Sequence, residues 1–201
     1  DNPTLSAVDI LSVPSFSGEI LFDGTDTLFV PFRSTSTTDD SFDQIGQYTV
    51  GNDSIELDTI SNIAPDPFGI TSDGTSIFVV SDDTLSVFNS NLVLQSTIDL
   101  TTAEGEIDDT DASFVQDVVY YAANNSLIIS NPQGRLFIVD LDSSELSQVI
   151  DGPESTRNLL INGDTLYALD PITETVWVFD LSALAAPSET PESVEDSSIL
   201  L

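Results

Sequence analysis

Short apolar runs, each following a cluster of turn residues, recur along the chain. The clearest is "SIFVVS" at residues 76–81, and its counterparts are "TLFVPF" from Thr27, "SLIIS" from Ser126 and "TLYALD" from Thr165. Successive copies start 49, 50 and 39 residues apart. The turns ahead of them read "DGTD" (23–26), "SDGT" (72–75), "ANN" (123–125) and "NGD" (162–164). Asp-Gly and Asn-Gly supply the positive φ that a tight hairpin requires. Each marker is flanked by further short runs rich in Val, Ile, Phe and Thr, which read as strands. Before it come "GEILF", "FGIT", "DVVYYA" and "NLLI", and after it "QIGQYTV", "TLSVFN", "RLFIVDL" and "TVWVFDL". A fourth run closes three units: "SIELDTI" from Ser54, "LVLQSTIDL" from Leu92 and "ELSQVI" from Glu145. Helical periodicity is nearly absent, and only "DLSALAA" (180–186) has the outline of a helical turn.

Four short antiparallel strands in a repeat of about 40–50 residues are the sequence signature of a propeller blade. The expected fold is therefore all-β: a β-propeller of about four four-stranded antiparallel blades, closed on itself or forming part of a larger ring. The last unit lacks a fourth strand, and the N-terminus offers one. "AVDILSVPS" (7–15) aligns with "ELDTISNIA" (56–64), placing Val8 on Leu57, Asp9 on Asp58 and Ser12 on Ser61. Residues 7–13 are thus expected beside "TVWVFDL", because the ends of a row of blades otherwise lack a packing partner. Residues 1–186 form the propeller domain on this reading. Residues 187–201 form an acidic tail containing Pro and Ser, ending in an apolar "SILL".

The stretch "DPFGITSDGTSIFVVSDDTLSVFNSNLVLQSTIDL" resembles a repeat of the YVTN/NHL-type β-propellers. These similarly run a Pro-x-Gly start, an Asp-Gly turn, an aromatic-valine strand and a closing strand with Asp. The resemblance is good in the second unit, fair in the first and fourth and loose in the third. It implies a blade scaffold, used in that family for binding, for adhesion and in some members for lactonase or other enzyme chemistry. Rings of that family usually hold six to eight blades, where four are counted here.

Charge narrows the partners. The 201 residues include 35 acidic and 3 basic side chains, a formal charge of −32, and the cations are Arg33, Arg135 and Arg157. Nucleic acid is excluded as a partner, because binding phosphates needs cations that displace counterions. Anionic membrane surfaces are disfavoured too, and no apolar run approaches the length of a membrane helix. Cationic partners, divalent metals or a saline medium suit such a surface. Forty per cent hydrophobic residues and eleven Phe argue for a packed core rather than disorder. A chain that begins at Asp1 and holds no Met reads as a processed form or an excised piece. With the acidic, lysine-free composition, this points to an extracellular or cell-surface location, in a saline or marine setting.

Candidate chemistry is sparse. With no His and no Cys, Ser-His-Asp and Cys-His nucleophile systems and His- or Cys-based metal sites are ruled out. Carboxylate pairs remain available for glycosidase-type chemistry, yet no pair stands out. The densest acidic loop, "EGEIDDTDAS" (104–113), puts Asp108, Asp109 and Asp111 together as a candidate calcium site. "DGTD" and "SDDT" are lesser candidates. Calcium takes six to eight hard oxygens, and the competing reading of these loops is turn chemistry and solvated surface. The arginines are expected in ion pairs and Trp177 in the core. "NDS" at Asn52 and "NNS" at Asn124 match the N-glycosylation sequon and fall in turns. The expected function is a secreted, non-catalytic binding or assembly module with a protein or carbohydrate partner. The alternatives are a propeller hydrolase using carboxylates or calcium, and a subunit that polymerises through an open edge.

Overall fold

Each of the repeated turns bends back on itself as the sequence requires. Gly24 and Gly74 both take φ of +88°, Asn125 takes 53° and Gly163 takes 60°. A Cβ at Gly24 or Gly74 would meet nothing, so these positions need glycine for its backbone freedom and not for space. Asp23 reinforces its turn by accepting from Thr25 N (2.8 Å), Thr27 N (3.0 Å) and Thr25 Oγ1 (2.8 Å). Asp73 does the same for the second unit through Thr75 N and Ser76 N.

The computed structural model describes residues 18–32, 43–51, 54–64, 66–81, 83–100 and 115–184. Their strands make four antiparallel meanders. The first sheet holds β1 (Leu21–Phe22), β2 (Thr27–Phe32), β3 (Asp43–Val50) and β4 (Ile55–Ile63). The second holds β5 (Pro67–Ser72), β6 (Ser76–Ser81), β7 (Thr84–Asn89) and β8 (Leu94–Asp99). The third holds β9 (Asp117–Tyr121), β10 (Ser126–Ser130), β11 (Arg135–Asp140) and β12 (Glu145–Asp151). The fourth has three strands among the described residues: β13 (Asn158–Asn162), β14 (Thr165–Asp170) and β15 (Thr175–Asp180). The repeat extends to irregularities. A bulge between the third and fourth strands falls at Gln47/Tyr48, Val87/Phe88 and Ile138/Val139, the same register position in three sheets.

No helix occurs among the described residues. After β15 the chain makes a turn, Leu184 N donating to Leu181 O at 2.9 Å, in place of the helical turn expected over 180–186. The segment 7–13 expected beside β15 lies outside the described residues, as do the 101–114 loop and the 187–201 tail.

Three apolar cores join the four sheets in sequence. Phe29, Ile45 and Ile63 of the first sheet pack on Ile70, Ile77, Val79 and Phe88 of the second. The other face of the second sheet, with Phe78, Val80 and Leu85, packs on Val118, Leu127, Ile129 and Val139 of the third. The third sheet's remaining face, with Tyr121, Ile128 and Leu136, meets Leu159, Leu166 and Ala168 of the fourth. Buried on both faces, β6, β10 and β11 read as continuous apolar runs with no alternation.

The first and fourth sheets each keep one apolar face outside these cores. On the first, Phe22, Leu28, Tyr48 and Leu57 form one cross-strand row. On the fourth, Leu160, Tyr167 and Val178 form another, with Leu160 63% and Val178 61% exposed. The first strands of successive sheets lie against one another, β1 on β5, β5 on β9 and β9 on β13.

Candidate functional site

Aligning each first strand with its partner puts Glu19, Gly69, Asp117 and Asn158 at one equivalent position in the four sheets. Gly69 lies opposite Val80, Asp117 opposite Ser130 and Asn158 opposite Leu169. Glu19 stands two residues ahead of β1. These four positions converge. Glu19 N donates to Phe68 O at 3.0 Å, and Asn158 Nδ2 donates to Glu19 Oε1 at 3.1 Å. Asp117 and Glu19 both reach the start of β13, one accepting from Leu159 N and the other from Asn158 Nδ2, which makes their carboxyls neighbours.

Glycine makes this approach possible. A Cβ on Gly69 would stand 2.8 Å from Val118 N and 2.9 Å from Asp117 Cα, and one on Gly18 would overlap Phe68 O. Asp117 itself is 1% exposed. Its Oδ1 accepts from Val118 N at 2.6 Å and its Oδ2 from Leu159 N at 2.5 Å, the latter in the next sheet. Burial pushes the Asp117 carboxyl up to about 8, helped by the hydrogen bond and charge of Glu19 and opposed by the two N–H donors. Ser130, opposite Asp117 and fully buried, keeps a hydroxyl with no hydrogen-bond partner. The cluster ties all four sheets, but Asp117 is enclosed and both its oxygens are engaged. It is poorly placed to reach a substrate, and two carboxylates fall well short of a calcium shell.

A second feature lies at the other end of β1 and β5, where turns of the first two sheets gather. It is a cleft of about 520 Å³ lined by Asp23, Gln47, Ser72, Thr75, Ser90 and Asn91, with Leu21, Phe29 and Ile77 among its apolar walls. The Asp23 carboxyl is held down at about 2: desolvation, the largest single effect, works against it, but the hydrogen bonds from Thr25 and Thr27 together prevail. Its oxygens therefore serve the turn first. Among the described residues, no cationic side chain lines the cleft.

The remaining candidates resolve individually. Asp108, Asp109 and Asp111 lie outside the described residues. Among those described, no three acidic side chains group in a way that could hold a metal. In "DGTD" the Asp23 carboxylate organises the hairpin, and in "SDDT" the Asp83 carboxylate accepts from Thr84 Oγ1. Arg135 pairs with Asp151 at 2.7 Å, a surface pair that joins no network among the described residues. Arg157 forms no ion pair with another described residue, and Arg33 lies outside them. Trp177 departs from its expected core position. It is 46% exposed and stacks on Phe179, because β15 is the outermost described strand of its sheet. Asn124 donates its Nδ2 to Leu184 O at 3.0 Å, so the nitrogen that glycosylation would use is engaged.

Sequence reasoning missed Glu19, Asp117 and Asn158. The available signal was their shared place ahead of each marker strand, where acidic or amide residues fall within an otherwise apolar run. No family model matches the chain, and no curated protein matches it.

Proposed function

We propose that the chain is a non-catalytic binding module of an extracellular or cell-surface structure, built as a four-bladed propeller of the YVTN/NHL kind. The cleft between the first two sheets is its ligand seat. The observation that carries this reading is the chemistry of that cleft: hydroxyls of Thr75 and Ser90 and amides of Gln47 and Asn91, over apolar walls and without a cation. None of these four side chains is hydrogen-bonded to another described residue. Such a lining suits a neutral, polyhydroxylated ligand, whose hydroxyls meet the amides while its C–H faces meet Leu21 and Phe29. An anionic ligand would find no partner there and would be repelled by the net charge of −32. The volume falls within the roughly 300–1,000 Å³ of ordinary small-molecule sites.

The test is an NMR titration of the chain with neutral oligosaccharides, cellotriose and maltotriose among them. Shifts at Gln47, Ser72 and Asn91 are expected, reduced in a Gln47→Ala, Asn91→Ala variant. Saturating millimolar sugar that moves none of these resonances defeats the reading.

Ring closure belongs to the same proposal. The first and fourth sheets each leave an apolar face uncovered by the three cores, and Glu19 to Asn158 already links them. Residues 7–13, lying along β15, supply the fourth strand and close the ring. An assembly role is the second reading, favoured by β15 with Val176, Trp177 and Val178 all exposed. If the strand is exchanged between copies, the contact closes as a reciprocal dimer or runs head-to-tail and propagates. Light scattering distinguishes a monomer from a concentration-dependent polymer.

A further inference from the structure

Glu19 and Asp117 meet at the one point where every sheet is tied to another. Glu19 reaches the second sheet through Phe68 O, the third through the Asp117 carboxyl and the fourth through Asn158 Nδ2. A hydrogen bond between two carboxyl groups needs a proton between them, since two carboxylates have only acceptors to offer. Among the described residues, nothing else nearby balances a second negative charge. The strands packed against β9 are β5, β6, β10 and β13, and none carries a titratable side chain. Arg157, one residue before β13, is exposed. On β9 itself, Tyr121 shares the face of Asp117, but its hydroxyl is turned to Asp164 at 2.9 Å. Tyr120 bonds to Asn125. Ser130 adds a neutral hydroxyl.

We propose that Glu19 and Asp117 hold a single proton between them, and that this proton is a latch. It ties the segment leading into β1 to the third and fourth sheets, and its loss in alkaline solution frees that segment. The latch is closed at neutral pH, because burial and the Glu19 carboxyl push Asp117 up to about 8. The raised value also sets the sign. The folded chain keeps a proton that the unfolded chain releases near 4, so the stabilisation is complete in acid and is lost as pH rises through about 8. The Asp117 end of the pair is enclosed, its two oxygens held by backbone from two sheets.

The test follows the side-chain carboxyl carbons of the whole chain by NMR across pH, together with hydrogen-exchange protection at Glu19 and Ile20. One carboxyl of the pair should titrate near 8. Between about pH 4 and that midpoint, protection at Glu19 should fall by about tenfold per pH unit, levelling off above it, as release of one linked proton requires. In Asp117→Asn the amide nitrogen gives up one backbone N–H contact but can donate to Glu19 with no proton to lose, so protection there should persist to higher pH. Glu19→Gln provides the same comparison should Asp117→Asn fail to fold, and the wild-type titration decides independently of either variant. Both carboxyls titrating below about 5 overturns the proposal. So does parallel loss of protection in variant and wild type, or a midpoint that falls when calcium replaces sodium at equal ionic strength, which would mean a metal in place of the proton.

Discussion

At Gly69 the chain tolerates no side chain, for a reason foreign to its own strand. The obstacle is the backbone of Asp117 and Val118 in the neighbouring sheet, which a Cβ would meet at 2.8 to 3.0 Å. Backbone cannot step aside as a flexible side chain can, so Gly69→Ala should destabilise by about 1–3 kcal/mol in urea unfolding. An unchanged midpoint would show that the two strands separate easily. Tyr121 makes a second testable contact between sheets, its hydroxyl donating to Asp164 Oδ1 at 2.9 Å, with Leu181 O at 3.3 Å. Burial, with the Asp164 carboxylate beside it, pushes this phenol up to about 12, so it stays protonated across the usable range. Tyr121→Phe leaves the ring packing intact and should cost about 0.5–1.5 kcal/mol, the net worth of one hydrogen bond. A larger loss would mean that the hydroxyl positions the whole 163–164 turn.

Among elements, β15 is the strand whose environment is least complete. Its residues are exposed on both sides except Phe179, whereas the third strands of the other sheets, β3, β7 and β11, have half or more of their residues buried. If residues 7–13 cover its edge, deleting residues 1–13 removes a strand from a sheet more than a hundred residues away in sequence. The deletion should lower the melting temperature by several degrees. It should also raise acrylamide quenching of Trp177, the chain's single tryptophan. Unchanged melting and unchanged quenching would show that the N-terminal segment takes no part in the fourth sheet. The edge also explains why Trp177, expected in the core, stands exposed. "TVWVFDL" has the composition of a buried strand, but composition cannot say whether a strand has one neighbour or two.

For the whole molecule, charge sets the response to solution conditions. With a net charge of −32 on a chain this size, many carboxylates must lie within a Debye length of one another, about 10 Å at 0.1 M salt. Compaction raises their repulsion, so the melting temperature should rise with sodium chloride. Millimolar calcium at matched ionic strength should raise it further if Asp108, Asp109 and Asp111 bind the ion, by mass action on the folded state. No increment beyond matched salt would reduce that loop to solvated surface. The pH response follows from the shifted groups. Asp117, raised to about 8, contributes stability that is lost as pH climbs from about 4 to 8. Asp23, lowered to about 2, contributes stability that is lost as pH falls below about 4. Thermal melts at constant ionic strength should therefore peak on the acid side of neutrality, near pH 4. A maximum at or above pH 7 would contradict both the charge argument and the enclosed state of Asp117.

Strand identity was legible in the sequence because it is a local matter. Asp-Gly and Asn-Gly turns, β-branched runs and the spacing of the marker strands are written into neighbouring residues, and every strand predicted within the described residues forms. Even the bulges obey the repeat, since each sheet repeats the same local problem of twist. Where sheets touch was not legible. Glu19, Asp117 and Asn158 are 41 to 139 residues apart, and as isolated polar residues at strand starts they look like ordinary surface. Gly69 likewise looks like a weak point in a strand. Only packing makes them a site, because burial turns an unremarkable aspartate into a proton holder, and only another strand's backbone turns a glycine into a requirement. Local residues thus determined which strands this chain makes, while the desolvation and close approach created by stacking four sheets decided which of its many carboxylates matter.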